Sequence, residues 1–464
     1  MKQFFRALIC LPVAVVTWSG CAKYHPKPIA PAQIESDFKA RTLSDPGLRS
    51  YVEANLPKPV IWPPHALDLG ALTLVAFYYQ PELDVARAQT ALATAGVKTA
   101  AARPNPTLAA GPGYESLPSA PFLFRFSLNI PVETAGKRGY RIKEAQRLTE
   151  ASRLALAETA WKVRTRLRAA LLDQLLSARE LSLLEDERNL QAEAVRLVRM
   201  RLEVGAVSRP VLDLAQFELS GTVLAIRSAE GRLAHARVAL AGALGVPLSA
   251  LDGCAFAWPD LDKPPGERLI TRFGIQRAGL LNRIDVRRSL VQYAAAEAAL
   301  QLEVARQYPN LNLDPGYAFD DGENKYTIVP GLLLPIFNRN QGPIAEAEAR
   351  REEAATRFLA LQATVINETE TALGDYRAAS GELADADRTL AIQRQRANAA
   401  EASLKAGETD RLTLVTARFQ VAAAQMLRLN ALRKTQQALG QLEDAVERPL
   451  TGGLPPLPPG SHRP

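Results

Sequence analysis

The chain has 464 residues, a formal charge of +7 and an aromatic content of only 6%. Its basic residues alternate with Glu along segments rich in Ala, Leu and Gln, which indicates solvated helix faces and argues against a nucleic-acid partner. The four His, three Met and three Cys form no ligand-like cluster with paired carboxylates. We therefore expect no metal site, no cofactor and no enzymatic activity.

Residues 1–20 have the pattern of a signal peptide. Basic residues precede an apolar run that is too short to span a membrane, and small residues come after it. Cys21 then stands where bacterial lipoproteins are cleaved and lipidated, so we expect a lipid anchor there; the alternative is ordinary cleavage near the same position. Ala22 favours the outer membrane, because lipoproteins retained in the inner membrane often have Asp after the Cys. If Cys21 is acylated, the mature chain keeps one free thiol, Cys254, which excludes a disulfide framework.

Proline placement divides the rest of the chain. Residues 21–66 are rich in proline, which predicts an extended leader, and residues 449–464 have the composition of a disordered tail for the same reason. Two long stretches between them contain no proline at all. Because proline costs about 3 kcal/mol inside a helix, these stretches predict two long helices, at 139–204 and 343–406.

Each long helix needs a partner for its apolar stripe along its full length. The shorter helical segments that could supply one are 83–102 and 210–245 for the first helix, and 283–306 and 409–447 for the second. Placed end to end, each pair of segments nearly equals the length of its long helix. The sequence therefore predicts two rods, each with one continuous helix packed against two coaxial shorter ones.

The chain also contains an internal duplication. RPNPTLAAGPGYE at 103–115 returns as RQYPNLNLDPGYAF at 306–319, and RLEVGAVSRPVLDLAQFEL at 201–219 returns as SLKAGETDRLTLVTARFQV at 403–421. Self-similarity over such a long period marks duplicated supersecondary units. The predicted domains are a first repeat, a connector and a second repeat, at 67–250, 251–280 and 281–448.

Two strands are predicted between the short first helix and the long helix of each repeat, at about 107–116 and 122–131, and at about 310–319 and 326–336. Apolar residues in them alternate with Arg125, Ser127 and Asn129, and with Asn310, Asn312 and Asp314. Strands of this length with one apolar and one polar face are typical of a transmembrane β-barrel, with lipid outside and these six polar side chains in the lumen. The alternative is a half-buried sheet of a soluble domain.

Four strands cannot close a barrel, and open strand edges are not tolerated in lipid, so the chain must oligomerise. Two copies would give eight strands, whose interior tends to fill with side chains. Three copies would give twelve strands and leave a channel.

Two further segments carry a family resemblance. ETAGKRGYRIKEA at 133–145 and LPIFNRNQGPIAEAEA at 334–349 join strands to long helices, and they resemble the CzcC-like, heavy-metal-efflux branch of the TolC family. The resemblance implies a mainly α fold with a small membrane β part. In that fold the long helical hairpins form a periplasmic α-barrel, and four strands per chain contribute to a trimeric β-barrel of twelve strands. Lys137, Arg138 and Arg339 would then lie near lipid headgroups.

The resemblance also implies where partners bind. The hairpin tips resemble the family's docking surface for a periplasmic adaptor, and the residues concerned are Arg201, Gly205, Ser208, Arg209, Lys405 and Gly407. Glu408 and Asp410 are expected at the periplasmic aperture, because Thr413 and Thr416 stand where drug-exporting relatives tend to have acidic residues. The plainer interpretation is that each Gly only supplies a turn.

The predicted function is that of a homotrimeric exit duct in the outer membrane, with a long periplasmic extension. Its partners would be outer-membrane lipid, a periplasmic adaptor and an inner-membrane pump of the RND type, and its cargo heavy-metal cations. Two alternatives remain open. One is a duct of the same architecture for drugs, other organic compounds or secreted polypeptides, and the other is a periplasmic coiled-coil scaffold without a pore.

Overall fold

The computed structural model describes residues 23–55, 62–114, 122–266, 274–320 and 322–450. The predicted signal peptide, Cys21 and nearly all of the predicted tail lie outside these residues. The chain divides into two compact units, Met1–Thr42 and Leu43–Pro464.

The described part of the first unit contains helix α1 (Pro31–Lys39). The second unit begins with helix α2 (Pro46–Asn55), whose Leu48 and Val52 are buried. The prediction of an extended leader over 21–66 is therefore wrong at both places. Each helix begins at a proline, where the missing N–H has no helical partner to lose and the fixed φ suits the first turn.

The helices of the second unit follow the proline pattern. They are α3 (Leu69–Tyr79), α4 (Pro81–Ala101), α5 (Lys137–Glu203), α6 (Arg209–Leu244), α7 (Ile275–Asn282), α8 (Ile284–Ala305), α9 (Gln341–Lys405) and α10 (Arg411–Val446). With 67 and 65 residues, α5 and α9 are each roughly 100 Å long. Within the described residues, no helix combines the length and the apolar character needed to cross a bilayer.

Each long helix has two shorter helices beside it, one after the other, as predicted. Along α5, Thr149 donates to the carbonyl of Ala93 in α4 at 3.0 Å. Further on, Arg232 of α6 pairs with Glu180 of α5 at 2.8 Å. Along α9, the equivalent contacts come from α8 and α10.

The largest apolar core lies where α3, α5 and α6 meet. Leu72, Phe77, Leu167 and Leu240 are fully buried there. Burial of each such side chain contributes about 1.5–3 kcal/mol. This core fixes α3 and the end of α6 against the middle of α5.

A short parallel pair, β1 (Ala66–Leu67) with β4 (Ala255–Phe256), ties the connector to the first repeat. The main sheet is antiparallel, in the order β2-β3-β5-β6, where the bounds are β2 (Thr107–Tyr114), β3 (Phe122–Val132), β5 (Leu311–Asp320) and β6 (Glu323–Leu332). The central pair β3–β5 joins the two repeats.

The fourth strand is displaced from its prediction. It begins three residues before 326 and ends at Leu332, not at 336. Gly322 has a φ of +76°, which a tight turn requires and which only Gly adopts at little cost. The apolar run from Leu332 onward favoured strand bounds that lie too late in the chain, because this run continues beyond the last residue of β6 that pairs with β5.

Candidate functional site

The polar face of the main sheet brings the predicted lumen residues together. Arg125 lies opposite Ala318 and Ser127 opposite Gly316, while Asn129 donates its amide to Asp314 Oδ1 at 2.6 Å. Asn312 and Asp314 lie on the same face, opposite Gly331 and Val329 of β6. The face is therefore continuous across the two repeats.

Asn310 is the exception among the predicted lumen residues. It lies one residue before β5, and its amide oxygen accepts a hydrogen bond from Lys137 Nζ at 2.5 Å. Lys137 also donates to the carbonyl of Tyr308. Asn310 thus contacts the start of α5.

The opposite face of the sheet is apolar and uncovered. Phe124 and Phe126 lie opposite Phe319 and Tyr317 in register. On β6, Tyr326 and Ile328 are 80% and 77% exposed. A contiguous exposed apolar face marks a contact with a membrane or another protein.

Lys137, one of the three basic residues expected near lipid headgroups, contacts the protein itself. Its side chain is buried at the start of α5, and this burial lowers its pKa. Nearby, Thr134 donates to the carbonyl of Pro309 at 2.5 Å. The segment therefore binds the first repeat to the beginning of β5.

Arg138 and Arg141 cap a helix end. Their Nε atoms donate to the carbonyls of Ala101 at 2.8 Å and Ala100 at 2.7 Å, the last carbonyls of α4, which have no partner within the helix. In the second repeat Asn340 takes this role for α8, donating its amide to the carbonyl of Glu303 at 2.8 Å. The two closing segments use different chemistry for the same junction.

Both hairpin tips end their long helix in the same way. Gly205 and Gly407 have φ values of +73° and +77°. Beyond them, Ala206 N donates to the carbonyl of Arg201 at 2.8 Å, and Glu408 N to that of Ser403 at 2.9 Å. This is the Schellman pattern, in which a left-handed Gly lets the last helical carbonyls be satisfied.

The tips differ in the residues that come after the Gly. Asp410 caps α10 by accepting from Thr413 N at 2.9 Å, whereas the Ser208 side chain makes no capping bond to a described residue of α6. Asp410 also pairs with Arg201 of the other tip at 2.5 Å. The hydrogen bond from the Thr413 backbone, and then that from Arg201, lower the pKa of Asp410. A predicted aperture residue and a predicted adaptor contact are thus bound to each other within one chain.

The remaining tip residues form local contacts. Arg209 pairs with Asp213 at 2.9 Å, and Lys405 with Glu401 at 3.0 Å. Glu408 accepts from the hydroxyl of Ser403 at 3.3 Å. In residues 23–55, 62–114, 122–266, 274–320 and 322–450 there is no group of three or more His, Cys, Asp or Glu that could hold a metal ion.

Sequence reasoning missed a cluster of buried charges between α5 and α10. Arg164 and Arg168 are both only 5% exposed and share the carboxylate of Glu443, which is 2% exposed. The signal was the spacing of Trp161, Arg164 and Arg168, which places all three on one face of α5 beside its buried leucines. Charges on such a face imply a buried partner.

An exposed apolar sheet face, joined to helical hairpins about 100 Å long, defines the class of outer-membrane channel proteins. The model of the outer membrane efflux protein family matches residues 78–246 and 275–446, once in each repeat. The chain belongs to this family, whose members are channels of the outer membrane. The predicted family and the internal duplication are confirmed.

Two curated relatives extend the comparison. The chain is 25% identical over 324 residues to the cobalt-zinc-cadmium resistance protein CzcC of Cupriavidus metallidurans, covering 69% of this chain and 76% of the relative. It is 28% identical over 273 residues to the pyoverdine export outer membrane protein OpmQ of Pseudomonas putida, covering 54% of this chain and 56% of the relative.

Solved structures confirm the TolC-like fold. CusC superposes with a TM-score of 0.64 at 18% identity, covering 84% of this chain and 95% of CusC. VceC from Vibrio cholerae superposes with a TM-score of 0.65 at 17% identity, covering 83% of this chain and 96% of VceC. The channel OprN superposes with a TM-score of 0.66 at 17% identity, covering 92% of this chain and 98% of OprN. With the family match over both repeats, the chain is an outer-membrane efflux channel.

Proposed function

We propose that this channel exports heavy-metal cations, as the homotrimeric exit duct of a tripartite system with a periplasmic adaptor and an inner-membrane pump of the RND type. The observation that carries the cargo assignment is the similarity to a cobalt-zinc-cadmium resistance protein over 69% of the chain. Nothing in this role requires a catalytic group.

The open edges of the sheet support a trimer. Among the residues that the structure describes, β2 and β6 each pair with one strand. An unpaired strand edge in lipid costs several kcal/mol for each backbone group. Three copies supply twelve strands, with the exposed apolar face towards lipid. The polar face that contains Arg125, Ser127 and Asp314 then lines the lumen.

The lumen chemistry suits passage rather than storage. Asp314 is hydrogen-bonded to Asn129, so its carboxylate is already partly satisfied. A pore must hold its cargo weakly enough to release it. A hydrated cation can therefore pass this face without exchanging its whole water shell for protein ligands.

The tips support adaptor docking and a gate. Arg201, Gly205, Ser208 and Arg209, with Lys405 and Gly407, form the proposed adaptor surface, and Glu408 and Asp410 the aperture. Opening moves the hairpin tips apart, so it must break the pair between Arg201 and Asp410. Adaptor binding to Arg201 would supply the competing contact.

Deletion of the gene, with complementation, tests the cargo. The deletion strain should become sensitive to cobalt, zinc or cadmium while keeping its tolerance to drugs and detergents. Unchanged tolerance to metals would remove the cation assignment. A second candidate, a duct for organic compounds, is favoured by the similarity to a pyoverdine export protein, and it predicts loss of tolerance or secretion in the organic panel instead. A scaffold without a pore would give no current in planar bilayers.

The tip glycines provide a sharper test of the mechanism. Gly205→Val or Gly407→Val should impair export but leave the trimer intact, because each strains a left-handed turn far from the strands. Gly253→Val is the matched control, since Gly253 has a φ of +74° and equally open surroundings but lies in the connector. Loss of the trimer in a native gel of the tip variants would contradict the placement.

The proposal includes a lipid anchor at Cys21. This residue lies outside the described residues, so the support is the sequence pattern alone. Mass spectrometry of the mature N-terminus should find a diacylglyceryl-modified Cys, and Cys21→Ala should abolish the modification. An unmodified mature N-terminus in the wild type would remove the anchor and leave the channel proposal untouched.

A further inference from the structure

A cavity of about 230 Å³ lies between α5, α10 and the connector. Its charged lining residues are Arg164, Arg168 and Lys263 against Asp260 and Glu443. The two arginines are buried, whereas Lys263 and Asp260 are exposed. The cavity therefore has a cationic floor and a mouth open to solvent.

The floor has more positive charge than its carboxylate can balance. Arg164 Nη1 and Arg168 Nε approach the same oxygen of Glu443, Oε2, at 3.1 and 3.4 Å. The other oxygen of Glu443 accepts from Leu450 N at 3.0 Å. Among the described residues, Arg164 donates to one side-chain acceptor, the carboxylate of Glu443. A guanidinium has five N–H donors, so donors of Arg164 remain for another ligand.

The neighbouring Asp444 does not restore the balance. Its Oδ1 accepts from Trp161 Nε1 at 3.0 Å and from Thr165 Oγ1 at 2.5 Å. Burial raises the pKa of Asp444, and burial likewise lowers the pKa of Arg168. In both groups burial disfavours the charged form, so Asp444 adds little negative charge to offset the arginines.

The arginines are held in place by dedicated neighbours. The guanidinium of Arg164 lies 5.0 Å from the ring of Trp161, and that of Arg168 lies 5.1 Å from the ring of Trp258. Gly440 makes room for Arg168, because a Cβ at this position would come within 2.4 Å of Arg168 Nη1. Gly is a poorer helix former than Ala, so α10 gives up some helix stability at this position to accommodate the arginine.

We propose that this cavity binds a small tetrahedral oxyanion, of the phosphate or sulfate class. About 10–15 Å³ of cavity volume is enough to hold one water. The cavity of about 230 Å³ therefore accommodates an oxyanion with part of its hydration. Guanidinium groups recognise these oxygens through paired charge-assisted hydrogen bonds. A membrane lipid headgroup is excluded by distance, because Arg164 lies about 40 Å along α5 from the strands.

The anion would stabilise the contact between the two repeats. Arg164 and Arg168 belong to the first repeat, and Gln436 and Glu443 to the second. A ligand that neutralises the arginines removes repulsion between them and strengthens this contact. Anion binding in this cavity is independent of the identity of the exported cargo.

Titration of inorganic phosphate into the full-length, detergent-solubilised protein by calorimetry tests the proposal, with sulfate as a second titrant and chloride keeping the ionic strength constant. The wild type should bind one of the two oxyanions saturably, and its thermal midpoint should rise with that ligand. Lys263→Gln should weaken binding about tenfold, since one hydrogen bond to a charged group is lost. Lys263 is exposed, so this variant is expected to fold.

Lys434→Gln is the matched control, because Lys434 is an exposed lysine of α10 that pairs with Glu382 at 2.8 Å and does not line the cavity. Its affinity should equal that of the wild type. Absence of saturable binding to the wild type would overturn the proposal. Equal affinities of wild type and Lys263→Gln would do the same, because the bound anion would then lie elsewhere.

Discussion

In each repeat, one side chain joins the end of the second short helix to the start of the first. The two repeats use chemically different side chains for this contact. In the first, Gln80 Nε2 donates to the carbonyls of Gly242 and Ala243, both at 2.7 Å, where α6 ends beside the start of α4. In the second, Arg283 Nη1 donates to the carbonyl of Ala445 at 3.2 Å, where α10 ends beside the start of α8. A neutral amide serves one repeat and a charged guanidinium the other.

The charged junction has additional partners. Arg283 pairs with Asp285 at 3.0 Å and with Glu368 at 2.5 Å. Glu447 Oε2 accepts from the backbone N–H groups of Ile284 and Asp285 at the start of α8. Glu447 has a left-handed φ of +46°, and the first repeat has Gly245 at the corresponding helix end, with a φ of +76°. The duplication preserves the backbone contact, while the side chains have diverged in charge.

The largest effect should come from removing the central side chain of each junction. Arg283→Met should cost about 3 kcal/mol, because Asp285 and the half-exposed Glu368 lose their counter-charge. Gln80→Met should cost about 1–2 kcal/mol, the loss of hydrogen bonds to two carbonyls. Urea midpoints of the two variants under identical conditions provide the comparison. Equal costs would mean that the charge adds nothing to the second junction.

An intermediate effect is expected at Gly245. Its Cβ in Gly245→Ala would lie 3.0 Å from the carbonyl oxygen of Tyr79, so the variant should lose about 2 kcal/mol through backbone strain and crowding. Gly253→Ala has the same left-handed strain with open space around it, and it should lose about 1 kcal/mol. Denaturant midpoints measure both, and identical losses would show that the close approach to Tyr79 is not limiting.

The smallest effect concerns pH and Glu447. Burial, and then the charge of Asp285, raise the pKa of Glu447 above its usual 4.5. Its contribution to stability is therefore present below pH 4.5 and is lost as the pH rises through the folded-state pKa. In Glu447→Gln this step should vanish, while the amide oxygen still accepts from Ile284. The urea midpoints of wild type and variant should be measured from pH 4 upwards. The difference between them should change as the pH rises through the folded-state pKa of Glu447, because only the wild type titrates there. A difference that stays constant over the whole range would contradict the assignment.

The sequence predicted the long elements well because their cause is local. A proline inside a helix is so costly that the proline-free stretches marked α5 and α9 to within two residues of their first positions, Lys137 and Gln341. The short helix at Pro31 was missed for the complementary reason. Proline at the first helical turn is compatible with a helix, so a proline-rich segment need not be extended.

The contacts at the candidate site could not be predicted, because they depend on the register of one helix against another. Arg138 and Arg141 have the sequence of surface charges, and only the position of α4 turns them into its cap. The pairing of Arg201 with Asp410 joins two tips that are 209 positions apart. The duplication was the unused signal at the junctions, since Gln80 and Arg283 occupy matching places in the two repeats.

The central strand pair has a consequence for biogenesis. Asn129 of β3 and Asp314 of β5 are separated by 185 positions, and the whole first helical hairpin lies between them. The N-terminal strands β2 and β3 enter the periplasm before β5. Until β5 pairs with β3, the side chains of Phe124 and Phe126 stay exposed. Segments of this kind aggregate readily. The order of the chain therefore makes completion of the main sheet a late step of folding.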